Sequence, residues 1–66
     1  MNKVKGYRTM LGMTQEEMAN ELGVSTGTYR AYEENPEKMS IESANKFLAV
    51  VNRTDSSVTM NDIFSK

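Results

Sequence analysis

Between Thr14 and Tyr32 the sequence TQEEMANELGVSTGTYRAY leaves room for two helices and almost nothing between them. Thr14-Gln15-Glu16-Glu17 has the T-x-x-E form of a capping box. In such a box the Thr14 hydroxyl accepts from the backbone N–H of Glu17 and the Glu17 side chain reaches back, so a helix is predicted to start at Gln15. Met18, Ala19 and Leu22 give it an apolar stripe, and Gly23 stops it. Ser25 is the next capping residue, one position after Val24. The connection is therefore only Leu22-Gly23-Val24-Ser25. Ala19 is small where the two helix axes cross, and a larger side chain would push them apart. Gly23 can take positive φ at low steric cost, which a turn this tight needs. Val24 and Tyr29 are placed to fasten the second of these helices to the first.

A helix, a glycine turn and a helix with a small capped start form a helix-turn-helix. The flanks read as more helix. Val4, Tyr7 and Leu11 recur at helical spacing and mark one buried face, ended by Gly12 as a C-terminal cap. On the third helix Val24, Tyr29 and Tyr32 face inward, with Thr26, Gly27, Arg30 and Ala31 on the other faces. Tyr29 and Tyr32 are read as core with their hydroxyls near the surface. Met10, Met13 and Met18 are read as filling gaps in the core. Glu34-Asn35-Pro36-Glu37 reads as a loop, because Pro36 disfavours helix at Asn35 and cannot sit inside one. Ser40 caps a fourth helix with Ile41, Ala44, Phe47, Leu48 and Val51 as its apolar stripe. After the polar segment 52–58, Thr59 caps a last short turn, with Asp62 as its partner and Ile63 and Phe64 as anchors. The expected fold class is all-α: a compact four- to five-helix domain spanning residues 1–66, with the helix-turn-helix at about 15–33.

Composition narrows the function. A chain of 66 residues suffices for one small core, and a domain of that size buries roughly 60% of the surface its unfolded form exposes. There is no cysteine and no histidine, which removes disulfides, thiolate zinc sites and the commonest general base. The carboxylates are scattered over helix surfaces, so no catalytic constellation, metal site or cofactor is expected. No apolar run approaches the ~20 residues that cross a bilayer, and the N-terminus lacks the apolar stretch of a secretory signal. A soluble cytoplasmic protein with no membrane partner is expected. The net charge of -1 argues mildly against nucleic acid. The distribution softens this: residues 1–30 carry four basic and three acidic side chains, whereas residues 31–66 carry four basic and six acidic ones.

The run Arg8-x-x-Leu11-Gly12-Met13-Thr14-Gln15-x-x-x-Ala19-x-x-x-Gly23-Val24-Ser25-x-x-x-Tyr29-x-x-Tyr32-Glu33 resembles the phage repressor/Cro family of helix-turn-helix regulators, also described as xenobiotic-response-element-type regulators. Ser40-Ile41-Glu42-Ser43, Phe47-Leu48-Ala49 and Asp62-Ile63-Phe64 look like that family's fourth and fifth helices, so the resemblance covers nearly the whole chain. It implies a five-helix domain whose third helix enters the DNA major groove. It also implies a homodimer on two half-sites about 34–36 Å apart. Gln15 matches the position that contacts backbone phosphate at the start of helix two. Thr26, Gly27 and Ala31 match positions that face base edges. Arg8 and Glu33 match a pair that joins helix one to the end of helix three.

Physical chemistry supports these roles independently. A helix N-terminus presents unpaired N–H groups and positive partial charge, a seat for phosphate, and Gln15 stands at one. The candidate DNA-binding set is Thr14, Gln15, Ser25, Thr26, Gly27, Thr28, Arg30, Ala31 and Lys38. Threonine hydroxyls suit bases or phosphates, and threonine or alanine methyls pack on the thymine methyl. Several have a plainer alternative. Gln15 and Thr26 can be ordinary first-turn residues in water. Gly27 either lets the helix lie deep in the groove or is only a weak helix residue. Arg30 meets phosphate or guanine, or pairs with Glu33 or Glu34. Arg8 pairs with Glu33 or touches phosphate, the structural pair being favoured because it is costly to break from one side. Lys38 meets phosphate or is simply solvated.

Two features depart from the family pattern. The segment after helix three, Glu34-Asn35-Pro36-Glu37-Lys38, carries two acids where basic residues are common, and residues 53–57 lengthen the link before the last helix, a region that often borders the dimer contact. The leading expectation is a sequence-specific DNA-binding regulator, a repressor or Cro-like protein of prophage or mobile-element type, acting on a two-fold symmetric double-stranded operator. The alternative is a helix-turn-helix protein-interaction module, such as an antitoxin subunit or partner-dependent regulator, with weak DNA binding.

Overall fold

The structure is a computed structural model and describes residues 3–64. Five α-helices follow one another: α1 (Lys3–Met10), α2 (Gln15–Leu22), α3 (Thr26–Glu34), α4 (Ile41–Asn52) and α5 (Met60–Phe64), with a single 3-10 turn at Pro36–Lys38 between α3 and α4. No strand occurs among the described residues, so the all-α class holds. α2 packs on both α3 and α4, and α1 packs on α3 and α5. No helix is long and apolar enough to cross a membrane among these residues.

The boundaries follow from local chemistry. Thr14 accepts from the backbone N–H of Glu17 at 3.1 Å while the backbone N–H of Thr14 donates to the Glu17 carboxylate at 2.9 Å, so both halves of the capping box are made. α1 and α2 end alike. Gly12 and Gly23 both sit at φ 73°, the left-handed region. Past each glycine the chain bonds back: Met13 N–H to the Arg8 carbonyl at 3.2 Å and Val24 N–H to the Ala19 carbonyl at 3.0 Å. These are Schellman closures, in which glycine avoids the Cβ strain that any other residue would carry. Ser25 and Ser40 cap α3 and α4 through their hydroxyls, which accept from Thr28 and Ser43 N–H. Thr59 and Asp62 cap α5 reciprocally, at 2.8 and 3.2 Å. Glu34, assigned to the loop from the sequence, is instead the last residue of α3; helix stops at Asn35, before Pro36.

One cluster of buried side chains holds the helices together: Val4, Met18, Ala19, Leu22, Tyr29, Phe47, Val50, Val51 and Ile63. Tyr7, Leu11, Met13, Val24, Tyr32, Leu48, Val58 and Phe64 pack around it half-buried. Two expected core residues lie outside. Met10 is 72% exposed and Ile41 is 81% exposed. The cause is the same in both helices. Each stands six positions from the most deeply buried residue of its helix, Val4 or Phe47, and six steps of ~100° leave it about 120° off the inward direction. In α4 the inward stripe is Ser43, Phe47, Val50 and Val51. Ser43 takes the place expected of an apolar residue.

Candidate nucleic-acid interface

α3 is fixed by one side and open on the other. Tyr29 and Glu33, one turn apart, are its buried residues. Ser25, Gly27, Thr28, Arg30 and Glu34 are exposed, and Thr26 and Ala31 half-buried. Gly27, Ala31 and Glu34 follow at i, i+4 and i+7 and so form one ridge along the open face. The ridge starts with almost no side chain and ends in an acid. Arg30 flanks it. Gly27 has ordinary helical φ, and a Cβ built there meets nothing within 4 Å. Nothing inside the molecule requires glycine at this position.

The start of α2 lies against this face. Gln15 is half-buried and bonded at both ends of its amide: Nε2 donates to Glu33 Oε1 at 3.0 Å, and Oε1 accepts from Arg30 Nε at 3.3 Å. It is therefore not a loose first-turn side chain in water. Arg30 bonds to Gln15 rather than to Glu33 or Glu34. Thr14 has its hydroxyl lone pair on the Glu17 N–H, and the Ser25 hydroxyl donates to the Thr28 hydroxyl at 2.9 Å. Lys38 stands apart, exposed in the turn after α3.

Behind the open face is a charged centre. Arg8 Nε donates to Glu33 Oε2, Nη2 to Oε1 at 3.4 Å, and Nη1 to the Met13 carbonyl at 2.8 Å. Their side chains are 11% and 5% exposed. The hydrogen bond that Arg8 donates to Glu33 raises the Arg8 pKa, and this outweighs the opposing effect of burial. Burial alone would push the Glu33 carboxyl up, but the hydrogen bonds it accepts, that from Arg8 foremost, hold it below its ordinary value. Contrary to the expectation from the sequence, the Tyr29 hydroxyl does not lie near the surface. It is buried, with no hydrogen-bond partner. Burial raises its pKa first, and the neighbouring Glu33 carboxylate second. Tyr29 thus stays a neutral phenol beside the pair, within the field of Glu33 but short of a made bond.

Sequence reasoning missed the joining of Gln15 to Glu33 and Arg30. These contacts span 18 and 15 residues, and no local pattern carries them. A half-open apolar groove lined by Tyr7, Met10, Leu11, Val51 and Val58 was missed too. Among the described residues no group of acidic, histidine or cysteine side chains is placed to hold a metal.

No curated protein and no solved structure matches this chain. A family model described as helix-turn-helix does, over residues 4–55, from within α1 through α4. That span holds the capped starts of α2, α3 and α4, the Gly23 turn and the open face of α3. It is most of the 66 residues. The chain belongs to the Cro/C1-type helix-turn-helix family, a family of DNA-binding transcriptional regulators.

Proposed function

We propose that the protein is a cytoplasmic, sequence-specific regulator, repressor-like or Cro-like, that occupies a two-fold symmetric operator as a homodimer with α3 in the major groove. The observation that carries this reading is the open face of α3, with Gly27, Thr28 and Arg30 exposed beside the start of α2. Thr26, Gly27 and Ala31 meet base edges, where small side chains allow close approach and methyl contact. Thr14, Gln15, Ser25, Thr28 and Lys38 meet phosphate, with the N-termini of α2 and α3 adding their N–H groups. Arg30 supplies the long cation of the helix. The prophage or mobile-element setting is family analogy.

The apolar groove beside Met10 supports the homodimer, since Thr54 and Asp55 of the 53–57 link also line it, and in the family that region often borders the dimer contact. Met10→Glu is expected to leave a monomer by light scattering, because Met10 is exposed and its replacement leaves the core intact.

Selection of binding sites from random duplex tests the whole reading. A two-fold symmetric consensus bound in a salt-dependent way supports it. Failure to enrich any sequence, together with negligible retention on duplex at low salt, overturns it. That second outcome is what a protein-interaction module would give. The observation in favour of that module is Glu34, exposed on the open ridge of α3, with Glu37 exposed beyond it. Both repel phosphate, and a basic partner surface would suit them.

A further inference from the structure

The contacts around Gln15 form one continuous chain: Met13 carbonyl, Arg8 guanidinium, Glu33 carboxylate, Gln15 amide, Arg30 guanidinium. It begins under α1 in the interior and ends on the open face of α3. The chemistry of each link is fixed. A carboxylate only accepts and a guanidinium only donates. A side chain joining them must donate at one end and accept at the other. A neutral amide does both in one plane, so its orientation here is set without ambiguity: nitrogen to Glu33, oxygen to Arg30. A carboxylate at position 15 would face Glu33 with like charge, and an apolar side chain would leave Arg30 with no acceptor.

We propose that Gln15 is a positioning residue for Arg30, holding its guanidinium by Nε so that the two Nη groups meet DNA from a fixed direction. This rests on the reading of α3 as the DNA-facing helix. Two observations carry it. Gln15 is itself held by a buried, doubly bonded carboxylate, so it is a fixed post and not a mobile neighbour. And the bond to Arg30 engages Nε, the one nitrogen that is not part of the terminal fork, leaving the fork that suits bidentate contact with phosphate or guanine. An arginine on an open helix face otherwise loses rotamer freedom on binding. Prior ordering by Gln15 removes part of that loss.

The test uses Gln15→Met, nearly isosteric and unable to make either bond, in two measurements on the full chain. The first is side-chain 15N relaxation at Arg30 Nε in the protein alone. It is expected to report an ordered N–H in the wild type and a mobile one in Gln15→Met, with melting temperatures close together. Equal mobility in the two proteins overturns the proposal, whatever happens on DNA. The second is a double-mutant cycle on the selected operator. Gln15→Met is expected to weaken binding about tenfold with Arg30 present and about threefold in the Arg30→Ala background, the difference being the coupling of two contacting groups. Equal effects in both backgrounds mean that Gln15 acts on DNA separately, and this too overturns it. If Arg30 is ordered by Gln15 but the wild type enriches no duplex sequence, the DNA reading of α3 fails, and the proposed use of the contact fails with it.

Discussion

Arg8 in α1 and Glu33 near the end of α3 are joined by two hydrogen bonds with both side chains almost fully buried. The pair clamps the N-terminal helix to the helix that presents the open face. A buried pair is a modest source of net stability, but breaking it from one side leaves a charge with neither water nor partner. Glu33→Ala is therefore expected to destabilise the protein by about 3–5 kcal/mol. In a domain this small each kcal/mol lowers Tm by roughly 4–8 °C, so the loss is readily seen by thermal denaturation. Arg8→Met combined with Glu33→Leu is expected to recover most of it. An unchanged Tm in Glu33→Ala would remove the pair from the account of the fold.

The same carboxylate gives a pH dependence. Glu33 has its folded-state pKa held below the ordinary 4.5. Its contribution is complete above the unfolded pKa and is lost as pH falls through the folded value. Arg8 keeps its charge throughout this range, its pKa being raised. Urea unfolding of the wild type is expected to show stability dropping below about pH 4.5, and Glu33→Gln to show a shallower drop. Parallel curves for the two proteins would assign the acid sensitivity to other carboxylates.

Local sequence carries most of the fold and little of the site. The caps at Thr14, Ser25, Ser40 and Thr59 and the turns at Gly12 and Gly23 are short-range devices, each complete within six residues. They can be read directly. Burial around a helix is less legible. Ile41 fits an apolar stripe on paper, yet Ser43 is the residue turned inward, because the rotation of α4 is set by where Phe47 meets the other helices and not by its own first turn. The pairing of Arg8 with Glu33 comes from the family spacing alone, since 25 residues separate them. The Gln15 bridge has no signal at all. Its three members are ordinary polar residues until folding brings them together.

Tyr29 tests the interior beside the pair. Its hydroxyl is buried and unpaired, and such a group retains a desolvation cost of about 1–3 kcal/mol. Tyr29→Phe removes the oxygen and keeps the ring that fills the core. Stability is expected to stay level or rise. A loss of about 1 kcal/mol would mean that the hydroxyl donates to Glu33 in solution, because that is the net worth of an ordinary hydrogen bond.

Arg30 is exposed and makes no ion pair among the described residues. Arg30→Ala is expected to weaken operator binding by about 1–3 kcal/mol if the fork meets a base, and to reduce the salt slope by about 1 if it meets phosphate. The melting temperature is expected to change little, since the residue is exposed and its hydrogen bond to Gln15 lies at the surface. Unchanged affinity would leave Arg30 as a surface charge.

Gly27 separates the needs of the fold from the needs of a partner. Glycine inside a helix costs roughly 0.5–1 kcal/mol relative to alanine. At Gly12 and Gly23 positive φ explains the residue, but Gly27 has neither positive φ nor any atom near a would-be Cβ. Gly6, mid-helix in α1, is equally uncrowded. Gly6→Ala and Gly27→Ala are therefore both expected to raise stability, by roughly 0.5–1 kcal/mol each. They should part on DNA. If α3 lies close in the groove along the Gly27–Ala31 ridge, the added methyl at 27 pushes the helix outward, and Gly27→Ala binds the operator more weakly despite being the more stable protein. Gly6→Ala serves as the control for added helix propensity and is expected to bind as the wild type does. If Gly27→Ala gains stability and keeps full affinity, glycine is needed neither by the fold nor by DNA, and the close-approach role is withdrawn.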